Sequence, residues 1–128
     1  MPKHKYDGYI FDSKLELNHY QILKDAPDIQ ILAVHKTYLI LPKRRFVKFP
    51  SMKQSLQREI KYTPDFVVKI ANIDKPVVFE SKGYPRKDYM IRKKLFIDQY
   101  DHQYYFYECG SVKQLYQDLE IIRGDTNV

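Results

Sequence analysis

Residues 62–83 read YTPDFVVKIANIDKPVVFESKG, two short apolar runs around Ala71-Asn72-Ile73-Asp74-Lys75, with an acid at the outer end of each run. Asn and Asp suit a tight turn, so the runs read as two strands of a hairpin. If Phe66 to Ile70 pairs antiparallel with Lys75 to Phe79 around the turn Ala71 to Asp74, Asp65 falls directly opposite Glu80, with Cβ atoms about 5 Å apart. Side chains alternate along a strand, which puts Lys82 on the face of Glu80. Like charges directly opposed on a sheet are destabilising, so the pair needs a compensating charge. A hard divalent cation fits, because Mg²⁺ takes one or two carboxylates and keeps sites for water and phosphate oxygens. Such an ion brings a water and a scissile phosphate together and leaves the lysine to orient or deprotonate that water. The plainer reading stays open: an acid-x-Lys at a strand end is common in surface sheets, and Asp65 after Pro64 can simply start a strand.

Upstream, Ser13-Lys14-Leu15-Glu16 has the form of a capping box, and a helix is expected over Ser13 to Lys24. Leu15, His19, Ile22 and Leu23 share one side of it, and Glu16 lies on the border of that stripe. Glu16 is then either the reciprocal capping partner or a carboxylate able to lean over the edge of whatever the helix packs on. Ile29 to Leu41 reads as extended, and two more strands are expected over about Ile60 to Ile70 and Pro76 to Lys82. Lys87 to Tyr100 follows a helical pattern, Gln103 to Glu108 a strand, and Ser111 opens a last helix whose stripe is Val112, Leu115, Tyr116 and Leu119. The order α-β-β-β-α-β-α predicts a mixed α/β fold, a small central sheet flanked by helices. With 128 residues, 44% of them hydrophobic, one domain over 1–128 is expected.

The net charge is +6, which favours polyanionic partners, nucleic acid first and an acidic membrane surface next. No window approaches the roughly 20 apolar residues of a spanning helix, and the N-terminus lacks the apolar stretch of a secretory signal, so a cytoplasmic protein is expected and no membrane partner. One cysteine, Cys109, allows no internal disulfide. The histidines at 4, 19, 35 and 102 are scattered, which argues against a zinc site.

Taken together, SKLE (13–16), YTPDF (62–66), FESKG (79–83) and the IRKKLF helix (91–96) resemble the PD-(D/E)xK nuclease superfamily. The chain looks most like the branch that includes the phage endonuclease I type of Holliday-junction-resolving enzyme. It is also similar to an uncharacterised family of small phage proteins with an Arg-x-Ile-x-Tyr-x-x-Asp-Phe strand, here Arg58 to Phe66. The resemblance implies a restriction-endonuclease-like core and a Mg²⁺- or Mn²⁺-dependent endonuclease acting on branched DNA in phage recombination or replication, in the host cytoplasm. It makes Asp65 and Glu80 metal ligands, Glu16 a further or water-mediated ligand, Ser81 a ligand through its backbone carbonyl, and Lys82 the catalytic lysine. Symmetric cutting of two strands implies a homodimer. Linear duplex or single-stranded ends are the alternative substrates, and a noncatalytic nucleic-acid-binding module is the alternative class.

The stretch 42–61 holds seven Lys or Arg against one Glu and is expected to be a basic loop or extension that contacts DNA. Its candidate phosphate contacts are Lys43, Arg44, Arg45, Lys48 and Arg58. On the other side of the acids stand Arg86, Lys87, Arg92 and Lys93, with Lys14 on the first helix. Phe46 and Phe49 are expected to pack this loop against the domain, with stacking on unpaired bases as the alternative.

Overall fold

The computed structural model describes residues 4–47, 49–50, 52–82 and 87–126. In chain order the elements are β1 (His4–Tyr6), β2 (Tyr9–Phe11), α1 (Lys14–Asp25), β3 (Ile29–Val34), β4 (Tyr38–Leu41), β5 (Arg44–Val47), β6 (Gln54–Gln57), β7 (Ile60–Tyr62), β8 (Phe66–Ile70), β9 (Val77–Ser81), α2 (Lys87–Tyr100), β10 (Tyr105–Cys109) and α3 (Val112–Thr126). The fold is mixed α/β, and its central sheet runs β10-β9-β8-β3. The β9–β10 pair is parallel, as a strand–helix–strand crossover through α2 allows, and the other two pairs are antiparallel.

Alternation along the central strands sorts their side chains into two layers. Phe66, Val68, Ile70, Val77 and Phe79 face α1 and α3, where they meet Leu17, Leu23, Leu115 and Leu119. Val67 and Val78 face the opposite way, into a second cluster with Phe96 and Tyr89 of α2 and with Tyr38, Ile40 and Tyr62 of the β4–β7 pair. Inward-facing Leu115 and Leu119 confirm the stripe of the last helix, but Tyr116 is exposed.

The extended stretches are more divided than their composition indicates. Ile29 to Leu41 breaks at His35, whose φ of 56° turns the chain out of the central sheet and into β4. Ile60 to Ile70 breaks at Thr63-Pro64-Asp65, where Pro64 has no N–H to offer a ladder. Within the basic stretch 42–61, β5 and β6 form an antiparallel ribbon, an extension that pairs with no other strand among the described residues. An N-terminal hairpin, β1–β2, also forms around Asp7 and Gly8, both with positive φ. Among the described residues no helix is long and apolar enough to cross a membrane.

His19 joins three elements in the interior. It is fully buried; its Nε2 lies 3.0 Å from the carbonyl of Ser111 and its Nδ1 lies 2.6 Å from Ser81 Oγ. A carbonyl only accepts, so Nε2 carries the proton, and since burial disfavours the cation, Nδ1 is left to accept from the Ser81 hydroxyl. The imidazole thereby fixes α1 to the end of β9 and to the cap of α3. Replacing His19 with Ala removes both bonds and leaves a cavity, and a loss of about 3 kcal/mol is expected from urea denaturation. A loss below about 1 kcal/mol would show that the three elements hold without it.

Candidate metal centre

The β8–β9 register pairs Phe66 with Phe79, Val67 with Val78 and Val68 with Val77, the register expected from the sequence. The ladder stops at Val68 and Val77, so the connection is longer than the expected four-residue turn. One step beyond its other end stand Asp65 and Glu80, and the backbone N–H of Ser81 donates to Asp65 Oδ2 at 2.7 Å. Glu80 is 1% exposed. Its Oε1 accepts from the hydroxyl of Tyr62, while Oε2 is buried and meets the Lys82 ammonium group beyond hydrogen-bond length. Lys82 shares its face: Nζ is 3.6 Å from Glu80 Oε2 and 4.6 Å from the centre of the Tyr89 ring. The Tyr89 hydroxyl is itself tied to Glu108 Oε2 at 2.7 Å, which holds the ring beneath the ammonium group.

Glu16 reaches this region from the first turn of α1. The Ser13 hydroxyl accepts from the Glu16 N–H at 3.1 Å, half of the expected capping box. The Glu16 carboxylate is buried; its Oε2 accepts from the Asp12 N–H at 3.4 Å, and its Oε1 lies 2.5 Å from Nε2 of His35. His35, unforeseen as a site residue, follows β3 and donates its backbone N–H to the Asp65 carbonyl at 3.0 Å. Glu16, His35 and Asp65 each offer one ligand atom, all within 4.8 Å of one another. The expected trio of Glu16, Asp65 and Glu80 does not close in this way. Glu80 stands on the far side of Asp65, with Lys82. Ser81 turns its side chain into the core toward His19, leaving its backbone on the side of the acids.

Burial raises the proton affinity of all three carboxylates. Glu16 is pushed up by burial and then by the charge of Asp65, against the pull of His35. Asp65 is raised by burial, partly offset by the Ser81 N–H and by Lys82. Glu80 is pushed up to about 8, by burial first and by Asp65 second. The cluster is therefore short of positive charge. Two carboxylates and an imidazole in convergence are a donor set able to hold a divalent cation.

A pH dependence follows. Because the folded-state pKa of Glu80 lies above its ordinary 4.5, the folded chain binds that proton more tightly than the unfolded chain does. Its contribution to stability is complete below 4.5 and is lost as the pH climbs through about 8. With chelator present, the melting temperature is expected to fall by roughly 5 °C or more across this window, relative to a Glu80→Gln variant titrated alongside. Saturating Mn²⁺ should cancel most of the fall; identical curves for the two proteins would remove the buried charge.

A cleft of about 750 Å³ opens on the Glu80 side, lined by Glu80, Lys82, Tyr62, Tyr89, Lys61 and Arg92, among others. Of the expected phosphate contacts, Lys14, Lys43, Arg44, Arg45, Arg58, Lys87 and Arg92 are exposed. Lys93 is not available: it is ion-paired with Glu108 and its Nζ lies 5.5 Å from the Phe106 ring centre, so it braces α2 against β10. Lys48 and Arg86 lie outside the described residues. Phe46 and Phe49 do not pack the ribbon against the domain, being 40% and 61% exposed.

Residues 2–118 match the model of the family described as Protein of unknown function (DUF1064), and the chain belongs to that family. No curated protein and no solved structure matches it.

Proposed function

We propose that this member of the DUF1064 family is a divalent-metal-dependent DNA endonuclease with a restriction-endonuclease-like core. The observation that carries the reading is the buried Glu80 carboxylate, set between Asp65 and Lys82 at the wall of an open cleft of mixed charge. A binding-only protein gains nothing from buried carboxylates that repel phosphate. Glu16, His35 and Asp65 would hold the ion, and Glu80, which stands outside this trio in the metal-free chain, would join it on loading together with the Ser81 carbonyl. A bound divalent ion supplies charge to the phosphoryl oxygens and acidifies a coordinated water. Lys82, held between Glu80 and the Tyr89 ring, orients or deprotonates the attacking water. Tyr62 fixes Glu80 through Oε1, and Oε2 lies 3.6 Å from the Lys82 ammonium group. Lys61 and Arg92 line the cleft, paired at its exposed surface with Glu59 at 3.2 Å and with Asp88 at 3.9 Å, and exchange these acids for the backbone of the strand being cut.

Branched DNA is the preferred substrate in this reading, and cutting two strands symmetrically requires two copies of the chain. The test is incubation with a labelled four-way junction and with its linear arms, each with Mg²⁺, with Mn²⁺ and with EDTA. Metal-dependent cutting of the junction is the expected result. Cutting of the linear arms alone would keep the chemistry and replace the substrate; intact DNA under every metal condition would refute the proposal.

A further inference from the structure

The β5–β6 ribbon is too small to be its own reason for existing. A two-stranded hairpin is marginal in water, and among the described residues no third strand joins this one. Register places Arg44, Phe46, Ser55 and Gln57 on one face and Arg45, Val47, Gln54 and Leu56 on the other, so each face carries one arginine beside exposed apolar surface. At the tip the Met52 N–H donates to the Phe49 carbonyl at 3.0 Å, and the side chains of Phe49 and Met52 are 61% and 54% exposed. Between 42 and 58 there are six Lys or Arg and no acid, so a second copy of the same ribbon would be met by like charge. Charge complementarity selects a polyanion. The ribbon also runs into the candidate site: Glu59 lines both a surface hollow with Lys43, Leu56 and Arg58 and the cleft that holds Glu80 and Lys82.

We infer that the ribbon grips duplex DNA through Arg44 and Arg45 while its tip pair, Phe49 and Met52, wedges against bases that are already unstacked, so that the chain selects distorted DNA. Four residues per strand span roughly 14 Å, and a two-stranded ribbon fits a major groove about 12 Å wide. An aromatic and a flexible thioether at the tip offer a surface for exposed base faces, which an intact stack does not present. The inference deepens the nuclease proposal by naming the DNA feature recognised, and binding in EDTA tests it without reference to cutting.

The experiment compares the full chain with two double variants, Phe49→Ala/Met52→Ala and Arg44→Glu/Arg45→Glu, on a duplex of about 40 base pairs, several times the footprint of such a ribbon, and on the same duplex with a central unpaired loop carrying 2-aminopurine. Wild type should prefer the looped DNA and change the probe's fluorescence. The tip variant is expected to lose roughly tenfold in affinity for the loop, together with the fluorescence change, and to keep duplex affinity within about twofold. The arginine variant should weaken both complexes and lower the slope of log affinity against log salt by about 2. These positions are exposed, and unchanged melting temperatures will show that both variants fold. Equal binding of both DNAs by wild type, or a tip variant indistinguishable from it, would overturn the inference. So would variants that bind DNA normally but lose affinity for phosphatidylglycerol vesicles or change oligomeric state, since either assigns the ribbon to another partner. Expected binding without cutting under any metal would sink the nuclease proposal alone; cutting with unaltered variant binding would sink only the ribbon's role.

Discussion

Replacing Glu80 with glutamine is expected to reduce phosphodiester cleavage by about 10³ or more and to leave the metal-free protein at least as stable as wild type above neutral pH. The two effects share one cause. Glu80 is buried against Asp65, and its pKa of about 8 records how poorly the folded chain tolerates its charge without a cation. The substituted amide keeps an oxygen for the bond from Tyr62 and sets an N–H₂ facing Asp65 in place of Glu80 Oε2, giving up the ion pair with Lys82 but leaving that ammonium group to Asp65. Repulsion becomes a hydrogen bond, and a ligand oxygen is lost. Asp65→Asn should behave likewise in cleavage, at some cost in stability because the Ser81 N–H then bonds a weaker acceptor. Cleavage rates, melting curves and Mn²⁺ titrations of the three proteins check this together. If Glu80→Gln cuts within about tenfold of wild type, or melts well below it near pH 8, the carboxylate is architectural.

Lys82→Met is expected to lower cleavage by roughly 10²–10⁴ while metal binding is kept or tightened. The ammonium group lies 3.6 Å from Glu80 Oε2 and is the cation that now partly compensates the acids. Methionine preserves much of the stem that lies against the Tyr89 ring but brings no charge. The carboxylates then depend more on an added ion, so the stabilisation produced by Mn²⁺ should grow as the chemistry disappears. That opposition separates a role in the reaction from a structural one. A variant losing cleavage and metal stabilisation in parallel would mean that Lys82 holds the site together instead of acting in it.

Much of this centre was legible because it is local. The Asp65–Glu80 opposition needs only the hairpin register, and that register follows from where the apolar runs begin and end. The Ser13 cap follows from one hydroxyl beside one N–H, but the expected stripe of Leu15, His19, Ile22 and Leu23 is turned: the buried face of α1 is Glu16, Leu17, His19, Tyr20 and Leu23, so Glu16 lies within it and not on its border. The Asp7-Gly8 hairpin also has a signal in the sequence, a strong turn dipeptide between short alternating runs, although the expected element order omits it.

The remaining features had no local signature. His35 is one of four scattered histidines until β3 pairs with β8, Val34 meets Phe66, and the next residue of each strand falls into place beside Glu16. Lys93 reads like its neighbours on a basic helix, and only the packing of α2 against β10 ties it to Glu108. The ribbon at 44–57 carries mixed apolar and charged residues on both faces, so no face reads as the inner one, and alternation alone does not distinguish it from a loop.

By itself, then, the sequence determined the parts whose causes act over a few residues: the three helices, the strands of the central hairpin, the capped start of α1, and the pairing that brings Asp65, Glu80 and Lys82 to one end of that hairpin. Only the tertiary structure decided which distant groups complete that end. His35 enters, Lys93 is withdrawn, and Glu80 is buried deeply enough for its proton affinity to rise. The reason is physical: side-chain direction follows from local backbone geometry, whereas desolvation and charge proximity depend on what the rest of the chain packs against it.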